Sequence, residues 1–158
     1  MKLNKGLFTH EKKDWGTPNK LFQDLNEVYH FNLDPCSSET NHKCELYYTK
    51  EMNGLEKNWG GKNVFMNPPY GSEIKCWVKK AYEESLKPNT TIVMLLPART
   101  DTIWFHSYVY GKAHLHFIKG RIKFLNNGVE EDSAPFPSMI AVLNGKPYKE
   151  GLKNDNHR

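Results

Sequence analysis

Cysteine is scarce: only Cys36, Cys44 and Cys76 occur in 158 residues. So small and odd a number excludes a disulfide framework. The spacing of Cys36, His42, Cys44 and Cys76 matches no usual pair of metal-ligand knuckles, so free thiols in a reducing compartment are expected, and no metal. Long apolar runs are missing too, which removes a membrane-spanning helix. The start, Met1-Lys2-Leu3-Asn4-Lys5-Gly6, lacks the apolar stretch of a signal peptide. A soluble, cytoplasmic protein with no membrane partner is expected. Charge of one sign is in short supply: 22 basic against 18 acidic residues leave a net +4, which permits a polyanionic partner without demanding one. No internal repeat or low-complexity tract is present, so a solenoid is excluded.

Aromatics are plentiful. At 13% of the chain, within 38% hydrophobic residues, they suffice for the core of one domain, read as residues 1–158 with a core of about 14–145. Residues 1–13 and the polar tail after about Tyr148 read as loose. Between them, Thr17-Pro18 opens a helix, with Thr17 as cap and Pro18 in the first turn. Leu21, Phe22, Leu25, Val28 and Tyr29 continue it at helical spacing. Strands are expected at Phe31–Asp34, Cys44–Thr49, Asn63–Met66 and Thr90–Leu96, with helices over Ser72–Leu86 and Thr100–Tyr110. Three strand candidates follow without helices between them: His114–Ile118, Ile122–Leu125 and Ser138–Leu143. This order predicts an α/β fold with a mostly parallel sheet and an antiparallel edge. Sites in such sheets lie beyond the carboxyl ends of the strands, which lines up Asp34, the Asn67–Tyr70 turn and Pro97–Arg99 along one rim.

Asn67-Pro68-Pro69-Tyr70 is the most informative stretch. Two prolines stiffen the backbone and remove two N–H donors, and Asn67 is pushed towards an extended conformation. The result is a rigid corner carrying an amide, carbonyl oxygens and an aromatic ring. Such a corner suits a conjugated amine, whose delocalised lone pair makes it a poor nucleophile. Two acceptors on its two N–H bonds, the Asn67 side-chain oxygen and the Pro68 carbonyl, localise that lone pair so that it can attack a methyl sulfonium. Tyr70 stacks on the base, an interaction worth about 1–3 kcal/mol. The catalysis is positional and electrostatic, and a base inside a duplex must be flipped out to reach it.

At these residues the chain resembles the short phage-type DNA N-6-adenine methyltransferases, the Dam-like family. The likeness runs from about Trp15 to Leu143. It rests on Trp15-Gly16-Thr17-Pro18, Phe31-Asn32-Leu33-Asp34-Pro35-Cys36, Tyr47-Tyr48-Thr49 with Gly54-Leu55 and Trp59, and the Asn67–Gly71 corner. Two later blocks, Leu95–Thr102 and Phe117–Phe124, complete it. The resemblance implies a Rossmann-like methyltransferase sheet, S-adenosylmethionine as cofactor, double-stranded DNA as partner, and a bacterial or phage-infected host cell. The cofactor-type motif precedes the Asn-Pro-Pro-Tyr motif, as in the unpermuted arrangement of amino-methyltransferases. By the same resemblance Trp15, Thr17, Pro18, Asp34, Pro35, Cys36, Asn53 and Leu55 bind the cofactor. Two departures stand out: residues 34–39 contain no glycine, and Asn53 stands where resembling sequences often carry an acid. An amide oxygen still accepts a hydrogen bond there.

Positive charge gathers late. Lys119, Arg121 and Lys123 fall on one face if their stretch is extended, with Gly120 as a bend. Together with Arg99, these residues are candidates for DNA contact. Two other readings stay open: a methyltransferase acting on RNA adenine or protein glutamine, and a catalytically silent nucleic-acid-binding protein.

Overall fold

The computed structural model describes residues 15–149; the two segments read as loose lie outside that range, apart from Tyr148 and Lys149. The elements are α1 (Asn19–Tyr29), β1 (Asp34–Ser37), β2 (Tyr47–Thr49), a one-turn 3-10 helix (Gly54–Glu56), β3 (Asn63–Met66), α2 (Ile74–Ser85), β4 (Thr91–Pro97), α3 (Ile103–Tyr108), β5 (His114–Phe117), β6 (Leu125–Asn126), β7 (Val129–Glu130) and β8 (Ser138–Leu143). This is a small α/β fold with mixed sheets.

The central sheet has the order β3-β4-β8-β5. β3 and β4 run parallel, while β8 is antiparallel to both of its neighbours, β4 and β5. The antiparallel strand therefore lies inside the sheet, not at the edge as the sequence order implied. Six consecutive buried residues in β8 explain its place: a strand apolar on both faces needs cover on both. The outer strand β5 has His114 and Phe117 exposed. A parallel pair, β1 and β2, joins the other side of the sheet through a bridge from Leu33 to Val64.

Period-two alternation divides the core. Ile92, Met94 and Leu96 of β4 face one layer with Val64, Met66, Trp77 and Val78. Val93 and Leu95 face the other with Leu25, Tyr29, Phe65 and Phe124. α2 covers the first face because Ile74, Trp77, Val78 and Ala81 recur at helical spacing and are buried. α1 covers the second through Leu25 and Tyr29. Buried Glu84 ties α2 to the chain before β3: its Oε1 accepts the Trp59 N–H at 2.6 Å, and Lys80 and Lys87 pair with the carboxylate. Burial works to raise this acid, but the Lys87 bond, the Trp59 N–H and Lys80 together hold it below its usual value. Trp59 in turn donates from Nε1 to the Gly54 carbonyl.

Several boundaries differ from the sequence reading. The first strand is shifted to Asp34–Ser37, because Asp34 and Ser37 pair with Tyr47 and Thr49. The second begins only at Tyr47. Ile122–Leu125 is not a ladder strand: the Ile122 and Phe124 carbonyls accept from Ala134 and Glu131, and only Leu125–Asn126 pairs, across an Asn127-Gly128 turn, with Val129–Glu130. α3 is shorter than expected and starts where the Thr102 hydroxyl accepts from Phe105 N–H. Thr17 does not cap α1; Pro18 holds that position, without a side-chain cap.

Candidate active site

β1 lies between β2 and β3, so the chain leaves β1 to one side and returns on the other. A crevice opens beyond the carboxyl ends of parallel strands at such a reversal. Here it is a cavity of about 780 Å³. β1 itself supplies Asp34, Pro35 and Cys36 to its wall, and the turn after β3 supplies Asn67, Pro68, Pro69 and Tyr70. Trp15 and Thr17 close one side, and Asn53 and Leu55 another. Segments 15–17, 34–36, 53–55 and 67–70, far apart in the chain, thus meet at one void. Pro18 is not part of its lining.

Asn67 is oriented by the segment before α1. Its Nδ2 donates to the Trp15 carbonyl at 2.6 Å and to the Thr17 hydroxyl at 3.0 Å. Its Oδ1 is buried and has no hydrogen-bond partner among the described residues. A buried acceptor left unpaired costs roughly 1–3 kcal/mol, and such atoms in native proteins call for a functional reason. Thr17, only 2% exposed, spends its hydroxyl on this bond instead of on a helix cap.

Asp34 is 4% exposed. Its Oδ2 accepts the Lys43 N–H at 2.9 Å and its Oδ1 the Cys36 N–H at 3.3 Å. Burial pushes the carboxyl up to about 6, against the lowering effect of those two N–H bonds and of His42 and Lys43. Each oxygen keeps a lone pair for a ligand hydroxyl or amine. Burial, and then the Asp34 charge, hold the Cys36 thiol well above its ordinary value, so it borders the cavity as a neutral group. Asn53 sits at φ 54° in the left-handed region, where Asn is among the residues that fit best. It is followed by Gly54, where any Cβ would run into the Pro35 carbonyl. The glycine-free β1 turn is thus approached by a glycine from elsewhere in the chain.

Tyr70 donates its hydroxyl to the Leu95 carbonyl at 3.0 Å, and burial raises its pKa, so it stays neutral. Its ring lies 6.4 Å from Trp15, at 26°, and meets Phe124 and Phe136 edge-on. Sequence reasoning missed that cage: nothing in residues 124 and 136 links them to residue 70. Tyr70 also borders a second cleft of about 300 Å³, lined by Ser72, Lys75, Arg99 and Thr102 among others. Arg99 therefore sits beside the Asn67–Tyr70 corner, as expected from the sequence. Lys75, on the first turn of α2, carried no signal of its own in the sequence. Neither cation has a carboxylate partner among the described residues.

Lys119, Arg121 and Lys123 are exposed, while Ile122 and Phe124 are buried. The alternation holds although the stretch is irregular, with Gly120 turning the chain at φ 78°. Arg121 reaches only the Ala134 carbonyl, at 3.4 Å. None of the three borders either cleft. Among the described residues no helix is long and apolar enough to cross a membrane, and no group of three or more His, Cys, Asp or Glu could hold a metal.

A family model described as DNA N-6-adenine-methyltransferase (Dam) matches residues 6–154. The chain belongs to the DNA N-6-adenine-methyltransferase (Dam) family. Two phage proteins named DNA N-6-adenine-methyltransferase are similar to this Dam-family chain. The one from Haemophilus phage HP1 is 35% identical over 149 residues, covering 91% of this chain and 86% of that protein. The one from Escherichia phage T1 is 43% identical over 162 residues, covering 90% of this chain and 66% of that protein. Family membership thus agrees with the corner at Asn67 and with the order of the motifs along the chain.

Proposed function

We propose that this Dam-family protein methylates the N6 amine of adenine in double-stranded DNA, with S-adenosylmethionine bound in the 780 Å³ cavity. The observation that carries the reading is the buried Oδ1 of Asn67, without a partner among the described residues, on a residue that lines that cavity. Its void falls in the range of small-molecule and cofactor sites, about 300–1,000 Å³. The donor set suits the cofactor: a buried acid at Asp34 for its ribose or amine, apolar walls at Pro35 and Leu55 for its adenine ring, and an amide acceptor at Asn53. A Rossmann-like reading of the sheet is supported by the parallel β2-β1-β3-β4 order and the site at its reversal point.

S-adenosylmethionine, when bound, supplies a methyl group on a positively charged sulfur. The chain's own task is to make the adenine amine nucleophilic. Asn67 Oδ1 and the Pro68 carbonyl accept the two N–H bonds, drawing the lone pair out of conjugation with the ring. Tyr70, fixed by its hydroxyl and by its aromatic cage, forms the wall against which the flipped base rests. Arg99 and Lys75, which share the second cleft with Tyr70 and have no carboxylate partner among the described residues, hold the phosphates next to the flipped nucleotide. Lys119, Arg121 and Lys123 add sequence-independent backbone attraction. The cytoplasm of a bacterium or a phage-infected host is the compartment that holds both substrates.

The test is direct. Purified protein with tritiated S-adenosylmethionine labels plasmid DNA, and digestion yields N6-methyladenine. Label found only in RNA or protein, or none at all, overturns the reading.

A further inference from the structure

We propose that the Trp15–Thr17 strap fixes the polarity of the Asn67 amide, which makes Thr17 a positioning residue and confines position 67 to an amide. This rests on the reading of Asn67 Oδ1 as an acceptor for the substrate amine. An amide has a donor end and an acceptor end, and the two ends of Asn are alike in shape. What distinguishes them here is the Trp15 carbonyl, which can only accept. With 2.6 Å between that oxygen and the Asn67 branch, only the NH2 end is tolerated. The opposite assignment would set oxygen against oxygen. The second N–H is used by the Thr17 hydroxyl at 3.0 Å. Both donors are consumed, and the acceptor end is left over, buried and unpaired.

The strap itself is held in place. Gly16 N–H donates to the Leu125 carbonyl at 2.7 Å, and Leu125 N–H donates back at 2.8 Å. The Trp15 ring packs edge-on against Phe124 and Phe136, each at 5.4 Å. The Trp15 carbonyl is therefore a fixed reference for residue 67, built from a segment fifty residues away in the chain. An aspartate at this position would put a second acceptor against that carbonyl. It would work only in its protonated form, with the acid O–H donating to Trp15 and the other oxygen left to accept.

The prediction is read at saturating S-adenosylmethionine and DNA, so that binding steps drop out. For Asn67→Asp, kcat at neutral pH falls on the order of a hundredfold and climbs as pH is lowered. Asp34, Cys36, Lys43, Lys50, Glu73 and Tyr70 border the same cavity and are common to both proteins, so the difference between the two profiles isolates residue 67. Thr17→Val, which keeps the shape and removes the hydroxyl, lowers kcat about tenfold with little change in KM for the cofactor. Thr17→Ser recovers most of the loss.

A readout independent of turnover is the Asn67 side-chain NH2 signal in 15N-labelled protein without ligand. It is slow to exchange in the parent, and one of its two protons moves upfield in Thr17→Val. A folded Asn67→Asp variant with the parental rate and pH profile overturns the proposal, as does an unmoved NH2 signal in Thr17→Val. If the parent protein transfers no methyl group to DNA, the reading of the site fails instead, and the NH2 signal still decides whether the strap sets the amide.

Discussion

The two regions assigned to substrate handling are built in opposite ways. At the cavity, the two polar groups given the chemistry are held firmly: Asp34 by two backbone N–H groups, Asn67 by the Trp15 carbonyl and the Thr17 hydroxyl. Along residues 119–123 the cations stand in solvent on an irregular segment, and among the described residues the one side-chain hydrogen bond they make is the 3.4 Å contact of Arg121. Chemistry on one nitrogen needs fixed acceptors in a low-dielectric pocket, where each is worth more than in water. Attraction of a polyanion needs only charge, and solvent screening makes each such contact weak. A deletion at the cavity should therefore cost orders of magnitude, and a deletion on the basic segment a modest factor.

The sharpest way to break that contrast is Asn67→Ala. Its kcat should fall roughly 10²–10³-fold, with cofactor affinity by calorimetry within a few-fold of the parent. A variant that methylates normally removes the difference between the regions. The next effect is pH. Asp34 is ionised only above about 6, and the anion is the better acceptor for a ribose hydroxyl or an amine. KM for the cofactor should rise as pH falls from 7 to 5, by up to about tenfold per unit below the pKa. In Asp34→Asn that dependence should be gone. The same raised pKa gives stability a definite sign: the folded state holds a proton that the unfolded chain releases above its ordinary value of 3.8. Asp34's favourable contribution is thus full below 3.8 and is lost as pH rises through about 6.

Charge removal comes lower on the scale. Arg99→Ala and Lys75→Ala should each weaken DNA binding and reduce the slope of log affinity against log salt by about one, measured by fluorescence anisotropy over a salt series. Arg121→Ala should give the smallest change. Its guanidinium is exposed and lies outside both clefts, so a slope change below about one is expected. If Arg121→Ala exceeds Arg99→Ala, the main contact with DNA runs along residues 119–123 and not beside Tyr70.

Long apolar segments were legible in the sequence with little error. The bounds Asn63–Met66 and Ser138–Leu143 agree with the structure, because burial on both faces leaves each strand an almost unbroken apolar run after one polar first residue. Short mixed segments were not. Phe31–Asp34 reads as a strand from its apolar residues, yet pairing with β2 begins at Asp34 and, after an irregularity, resumes at Ser37. Thr17 read as a helix cap because its type and position fit one, and nothing local pointed to an amide fifty residues later. The candidate cofactor residues, Pro18 excepted, were found at one cavity because their motifs were recognised as blocks, not because spacing located them.

By itself the sequence determined the rigid corner at Asn67–Tyr70, the strands buried on both faces and the positions of the charges. These follow from backbone stereochemistry, hydrophobic periodicity and residue type, all of which act locally. Only the tertiary structure decided that β8 runs antiparallel inside the sheet, that Tyr70 is caged by Phe124 and Phe136, that Lys75 joins Arg99, and which end of the Asn67 amide is left free. Each of those depends on partners remote in the chain, and their meeting is set by packing and by the pairing of buried polar atoms.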